Sequence, residues 1–218
     1  MRIAGLLCLL SLPFCLLSQD TSYADRLSEH RKGILAQLML DPRSPIDTTS
    51  VRNLRFFAAN DSLVCPTIIL PLRDSVLLNF PTSDGNSRQY RAYARLYFNY
   101  GGAMHNVTLF ESPGLSRHPL YADKLFLPFW DESNGFESYG GGRYLDISRK
   151  AVDASEVVLD FNKAYNPWCA YSDSFSCPIP PPENRLPFAV RAGESAFKTS
   201  EVLSAERQLV PAENITPR

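Results

Sequence analysis

Residues 89–110 read QYRAYARLYFNYGGAMHNVTLF, and this stretch decides the fold class. Tyr90, Ala92, Ala94, Leu96 and Phe98 alternate with Arg91, Tyr93, Arg95, Tyr97 and Asn99, the period of two that sends successive side chains to opposite faces of a strand and buries one of them. Gly101 and Gly102 supply a turn, after which His105, Val107 and Leu109 alternate with Asn106, Thr108 and Phe110. Two such runs joined by a tight turn form an antiparallel hairpin. Further short strands are expected at Leu54 to Ala59, Thr67 to Leu70 and Ser75 to Phe80. With 13 Phe and 10 Tyr favouring strands, and 17 Pro and 11 Gly interrupting the chain before long helices can form, the expected architecture is mostly β. It is a single antiparallel β-barrel or sandwich domain with one N-terminal helix.

That helix is read from Ala24 to Leu40, where Leu27, Ile34, Leu35 and Leu38 fall on one helical stripe. Ser22 followed by Asp25 has the spacing of a capping box, and Pro42 ends the helix soon after Leu40. His30 lies among Glu29, Arg31 and Lys32, the composition of a solvated face.

Ahead of the helix, residues 1–19 (MRIAGLLCLLSLPFCLLSQ) carry one early positive charge, Arg2, then an apolar run from Ile3 to Leu17 and polar residues suited to cleavage. This is the pattern of a secretory signal peptide. A lipoprotein signal acylated at Cys15 is the alternative, but Leu12, Pro13 and Phe14 stand where small residues are needed. The run falls short of the roughly 20 residues that span a bilayer, so the mature chain is expected to have no transmembrane segment. Export to the periplasm or beyond follows, with one domain over 20–198. Residues 199–218 lose the strand pattern and read as a peripheral or disordered tail. The 22 basic and 23 acidic residues are interspersed, for a net charge of -1. No electrostatic footprint for nucleic acid results.

Asn60, Asn106 and Asn214 begin Asn-x-Ser/Thr sequons, which matter only in a eukaryotic secretory pathway. His105 and His118 have no second ligand at metal-binding spacing, so no metal and no cofactor is assigned.

Between Phe126 and Glu194 the motifs PFWDESNG, ESYGGGRYLD, DFNKAYNPWCAY, CPIPPPENRLPFAV and RAGE follow in order. They resemble the bacterial domain-of-unknown-function family 1684. Upstream, Ser44-Pro45, LRFFAAN and SDGNSRQY are similar to related pieces of that family. The resemblance implies a mostly β bacterial protein with silent sequons, and brings no activity with it. Trp168 departs from the family pattern, which usually has a second proline there.

Cys169 and Cys177 are close in sequence, and an exported chain meets a compartment where disulfides persist. A bridge between them is the favoured reading; closing so short a loop would remove roughly 2.5 kcal/mol of denatured-chain entropy. Cys65 is left over as a buried, inert thiol. Pro180, Pro181 and Pro182 force an extended arm that presents Glu183 and Asn184. Gly140, Gly141 and Gly142 lack the Lys-Ser/Thr of a phosphate loop and read as a turn or bulge where only glycine fits the backbone, or where a ligand could approach it.

The polar candidates are Asp131, Tyr139, Arg143, Asp160, Asn162, Asn166, Glu183, Asn184 and Arg185, with Glu137 and Glu194 beside them. Two readings stand. They form a hydrogen-bonded network that ties irregular loops to the sheet, or a polar pocket walled by Phe129, Tyr139, Tyr165 and Trp168 that takes a small polar ligand. The matching functions are a non-catalytic binding or structural module for a small polar ligand or protein partner, and a carboxylate-dependent hydrolase acting on glycans. The hydrolase would draw its acid and base from Asp131, Glu137, Asp160 and Glu183. No Gly-x-Ser-x-Gly elbow is present, and three histidines leave little for triad chemistry.

Overall fold

Helix α1 (Tyr23–Leu40) comes first in the chain, followed by strands β1 (Val64–Pro71), β2 (Leu78–Pro81), β3 (Ser87–Tyr100), β4 (Ala103–Glu111), β5 (Lys124–Phe129) and β6 (Arg143–Ser148). A short helix α2 (Arg149–Asp153) and strand β7 (Val158–Asp160) complete the regular elements. This computed structural model describes residues 22–72 and 76–198. The expected signal peptide, the tail from residue 199 and the sequon at Asn214 lie outside them.

The strands form one antiparallel sheet in the order β6-β5-β4-β3-β1-β7, with β2 also paired to β3. It curls into a half-barrel, and the chain is mostly β with one N-terminal helix. The expected hairpin is β3 and β4, turned by Gly101 and Gly102, both at positive φ. Thr67 to Leu70 lies within β1. The strand expected from Ser75 begins at Leu78, Ser75 itself being outside the described residues. Leu54 to Ala59 is not a strand: one bridge, Phe56 to Glu194, joins it to an irregular partner that offers no ladder to extend.

The expectation of one buried face along β3 is corrected by its pairing. Ala92 opposes Phe110 and Ala94 opposes Leu109, so Tyr93 is an extra residue in the ladder. An inserted residue reverses the face that its neighbours take. Ala94, Leu96 and Phe98 therefore join Val107, Leu109, Leu125, Leu127 and Leu145 in the main core. Tyr90 and Ala92 pack instead with Phe80, Phe110 and Phe126 on the opposite side. The bulge splits one alternating run between two clusters, and the second becomes the wall of a cavity.

Helix α1 is capped as expected, the Ser22 hydroxyl accepting the Asp25 N–H at 3.2 Å. Of its apolar stripe only Leu27 is fully buried, while Ile34, Leu35 and Leu38 are half-buried. Polar contacts supplement this narrow seam: the Tyr23 hydroxyl donates to Asp160 at 2.9 Å, and the Arg31 guanidinium lies 4.7 Å from the Phe56 ring centroid.

Candidate binding site

Arg143 opens β6 on its core side, because the alternation Arg143, Leu145, Ile147 faces inward while Tyr144 and Asp146 face the other way. Its side chain is fully buried. One terminal nitrogen donates to the Ala192 and Glu194 carbonyls at 2.6 and 2.9 Å, and the other to Asp131 at 2.8 Å and the Val190 carbonyl at 2.6 Å. The second oxygen of Asp131 accepts the Ser133 and Val190 N–H groups at 2.8 and 3.0 Å. Burial pulls the guanidinium below its ordinary value and the adjacent Asp131 charge opposes this. The pair is a structural tie that draws residues 190–194 onto the sheet. Two glycines make room for it. Gly142 has φ +85 and a Cβ there would meet the Phe129 carbonyl at 2.8 Å; Gly193 has φ +74 and a Cβ would meet the Ala164 carbonyl at 2.4 Å.

Asn184, at the end of the proline arm, is also fully buried. Pro128 has no N–H, so β4 and β5 cannot continue their ladder beyond Phe110 and Phe126. The Asn184 carboxamide fills the gap, accepting the Thr108 N–H at 2.7 Å and donating to the Thr108 and Pro128 carbonyls at 2.9 and 2.7 Å. Glu183 and Arg185 flank it on the surface, where Arg185 sits over Trp130 and both border a second, separate groove with Pro180–Pro182.

The remaining polar candidates are likewise spent on loop geometry. Asp160 caps the turn Phe161–Lys163 through the Asn162 N–H, and the Asn162 amide donates to the Asn60 carbonyl at 2.9 Å. Asn166 donates its backbone N–H to Glu194 at 3.0 Å and its side-chain amide to the Ser195 carbonyl at 2.8 Å. Tyr171 also donates to Glu194, and burial still pushes that carboxyl up to about 7. Glu137 pairs with Arg191 at 2.8 Å on the surface.

The disulfide expected between Cys169 and Cys177 is not formed; both are free thiols, as is Cys65. Their two sulfurs do not stand at bonding distance and accept from other groups. The Cys177 sulfur accepts the Cys169 N–H at 3.2 Å, and the Cys169 sulfur accepts the Tyr139 hydroxyl at 3.6 Å. Hydrogen bonding from Cys177 lowers the Cys169 thiol from its ordinary value and raises Cys177 in turn. His105 packs against Phe98 and Phe188, and His118 against Tyr121. Among the described residues, no group of three or more His, Cys, Asp or Glu is placed to hold a metal ion.

A cavity of about 520 Å³ lies beyond the bulge, on the sheet face turned away from the main core. Arg88 and Tyr90 of β3, Lys124 and Phe126 of β5, and Tyr144 and Asp146 of β6 form its floor. The 165–178 segment covers it with Tyr165, Trp168, Phe175 and Cys177, and the 112–121 loop with Leu115, Ser116 and Tyr121. Tyr90 and Phe126 stack at 5.2 Å, Tyr144 meets Phe126 edge-on at 4.7 Å, and Trp168 meets Phe175 edge-on at 5.1 Å. Asp146 is engaged by Lys124 at 2.8 Å and by the Tyr165 hydroxyl at 2.9 Å. Such a mixture, apolar rings with a few placed polar groups, is the usual make-up of a small-molecule pocket.

The structure thus separates the sequence candidates. Asp131, Arg143, Asn162, Asn166 and Asn184 are buried ties, Tyr165 and Trp168 wall the cavity, and Phe129 belongs to the main core. Arg88, Tyr90, Lys124, Phe126, Tyr144 and Asp146 were missed as site residues. The alternation in KLFLPF and RYLDIS carried a signal, since each places an aromatic and a charge opposite its aliphatic residues.

A family model described as "Protein of unknown function (DUF1684)" matches residues 49–195. The solution NMR structure of an uncharacterized protein of Haloarcula marismortui is similar, with a TM-score of 0.61 and 31% sequence identity over 78% of this chain and 92% of that one. No curated protein matches the chain.

Proposed function

This chain belongs to the DUF1684 family of proteins of unknown function, and from that premise we propose that it is an exported, non-catalytic module that binds a small ligand. The ligand sits between the sheet and the 165–178 segment. The observation that carries this reading is the aromatic cavity of about 520 Å³, a size that suits one small molecule. Export rests on the apolar leader of residues 3–17, and it places the module in the periplasm or outside the cell. The hydrolase alternative receives no support from the cavity. Its lining carboxylate is Asp146, held by Lys124 and Tyr165, whereas Asp131, Glu137 and Asp160 are committed to Arg143, Arg191 and the Phe161–Lys163 turn.

A thermal-shift screen of small carboxylates, phosphates, sugars and neutral aromatics tests the reading. At least one class should raise the melting temperature of the native chain and leave Ser116→Trp, which fills the cavity, unmoved. A native chain that responds to no class would overturn it, as would a ligand that stabilises both proteins equally.

A further inference from the structure

We propose that the ligand of this cavity is a small organic anion with a flat apolar body, its anionic group held by Arg88 and Tyr90. The inference rests on the cavity being a binding site and adds the chemistry of what it takes.

The body follows from the walls. Phe126, Tyr144, Trp168 and Phe175 present ring faces and edges, and these gain most from a planar apolar partner. The charge follows from which polar groups are already satisfied. Lys124 is neutralised by Asp146, and Arg43 by Asp41 at 2.8 Å. Arg88 is different. One of its terminal nitrogens donates to the Ser176 carbonyl at 2.8 Å, and among the described residues no carboxylate lies within ion-pair reach of it. Two residues along the same strand face stands Tyr90, nearly buried between Phe80 and Phe126. Its hydroxyl has no hydrogen-bond partner among the described residues, and burial pushes it up to about 12, so it keeps its proton.

Among the described residues, a guanidinium with no carboxylate partner and, two residues away on the same strand face, a protonated phenol with no hydrogen-bond partner leave donors for a ligand. An anionic oxygen pair can accept from both, and a hydrogen bond to an ionised acceptor is the stronger kind. A neutral sugar would leave the Arg88 charge unmatched and find few unengaged polar groups along the ring-lined floor.

Calorimetric titration of the chain with 2-naphthoate and with its uncharged counterpart 2-naphthamide tests this at low ionic strength. The acid should bind about tenfold or more tightly than the amide, the gain expected of one charge-assisted contact. Arg88→Met should bring the two within about twofold of each other while Arg88→Lys keeps part of the preference, since only the latter retains a cation. Ser116→Trp should abolish binding of both. If the amide binds the native chain as well as the acid, the anion assignment fails and the cavity reading stands. If Arg88→Met keeps the full preference, the placement of the anion is overturned. If neither compound binds the native chain, the flat-ligand inference is overturned, and the thermal-shift screen then decides the fate of the cavity reading separately.

Discussion

Arg143 and Asp131 meet at 2.8 Å with neither side chain exposed, and the pair also bonds the backbone of Val190, Ala192 and Glu194 and the Ser133 N–H. Removing one member leaves the other as a buried charge without its partner. Arg143→Met and Asp131→Asn should each lower stability by about 3 to 5 kcal/mol. Urea unfolding of both variants is the check; a loss near zero in either would mean that the site is open to water and the network is not structural.

Glu194 sets a pH dependence. Its carboxyl lies near 7 when folded against an ordinary 4.5, raised by burial in spite of hydrogen bonds from Tyr171 and Asn166 and the nearby Arg143 charge. Between those values the folded chain holds a proton that the unfolded chain has released. The contribution to stability is therefore fully present below pH 4.5 and is lost as pH rises through 7, by roughly 3 kcal/mol over the window. In Glu194→Gln the carbonyl oxygen can accept the same two donors without titrating. The difference between the two stability profiles should slope between pH 4.5 and 7. Parallel profiles would refute the assignment.

Asn184→Ala strands the Thr108 N–H and the Thr108 and Pro128 carbonyls, all served by one carboxamide. Each unsatisfied buried group costs on the order of 1 to 3 kcal/mol, so the variant should lose about 3 kcal/mol or more. Hydrogen exchange should accelerate first at Thr108. Normal protection there would show that the gap between β4 and β5 closes without the asparagine.

The thiols should differ in reactivity. Cys169 is half-buried and acidified by hydrogen bonds from Cys177 and Tyr139, while burial raises Cys65 and the Cys169 contact raises Cys177. Brief treatment with iodoacetamide at neutral pH, followed by peptide mapping, should label Cys169 first. Recovery of Cys169 and Cys177 as one cross-linked peptide without reductant would instead restore the bridge that the sequence favoured.

What the sequence determined by itself is whatever depends on neighbours along the chain. The β3–β4 hairpin is written in period-two alternation around Gly101 and Gly102, the helix start in Ser22 and Asp25, and the family in an ordered set of motifs. Gly142 of the ESYGGGRYLD motif has the positive φ of a turn that only glycine fits, and a Cβ there would meet the Phe129 carbonyl at 2.8 Å. Tertiary structure alone decided the rest. Whether Arg143 served a pocket or a tie depended on residues 190–194 reaching it, and whether Asn184 was presented or inserted depended on Pro128 breaking a ladder far away in sequence. The cavity depended on one bulged residue, Tyr93, which turned Tyr90 away from the core that its alternation with Ala94 and Leu96 implied. Periodicity reports the face of a strand only while the register holds, and register is a property of the partner strand as much as of the sequence being read.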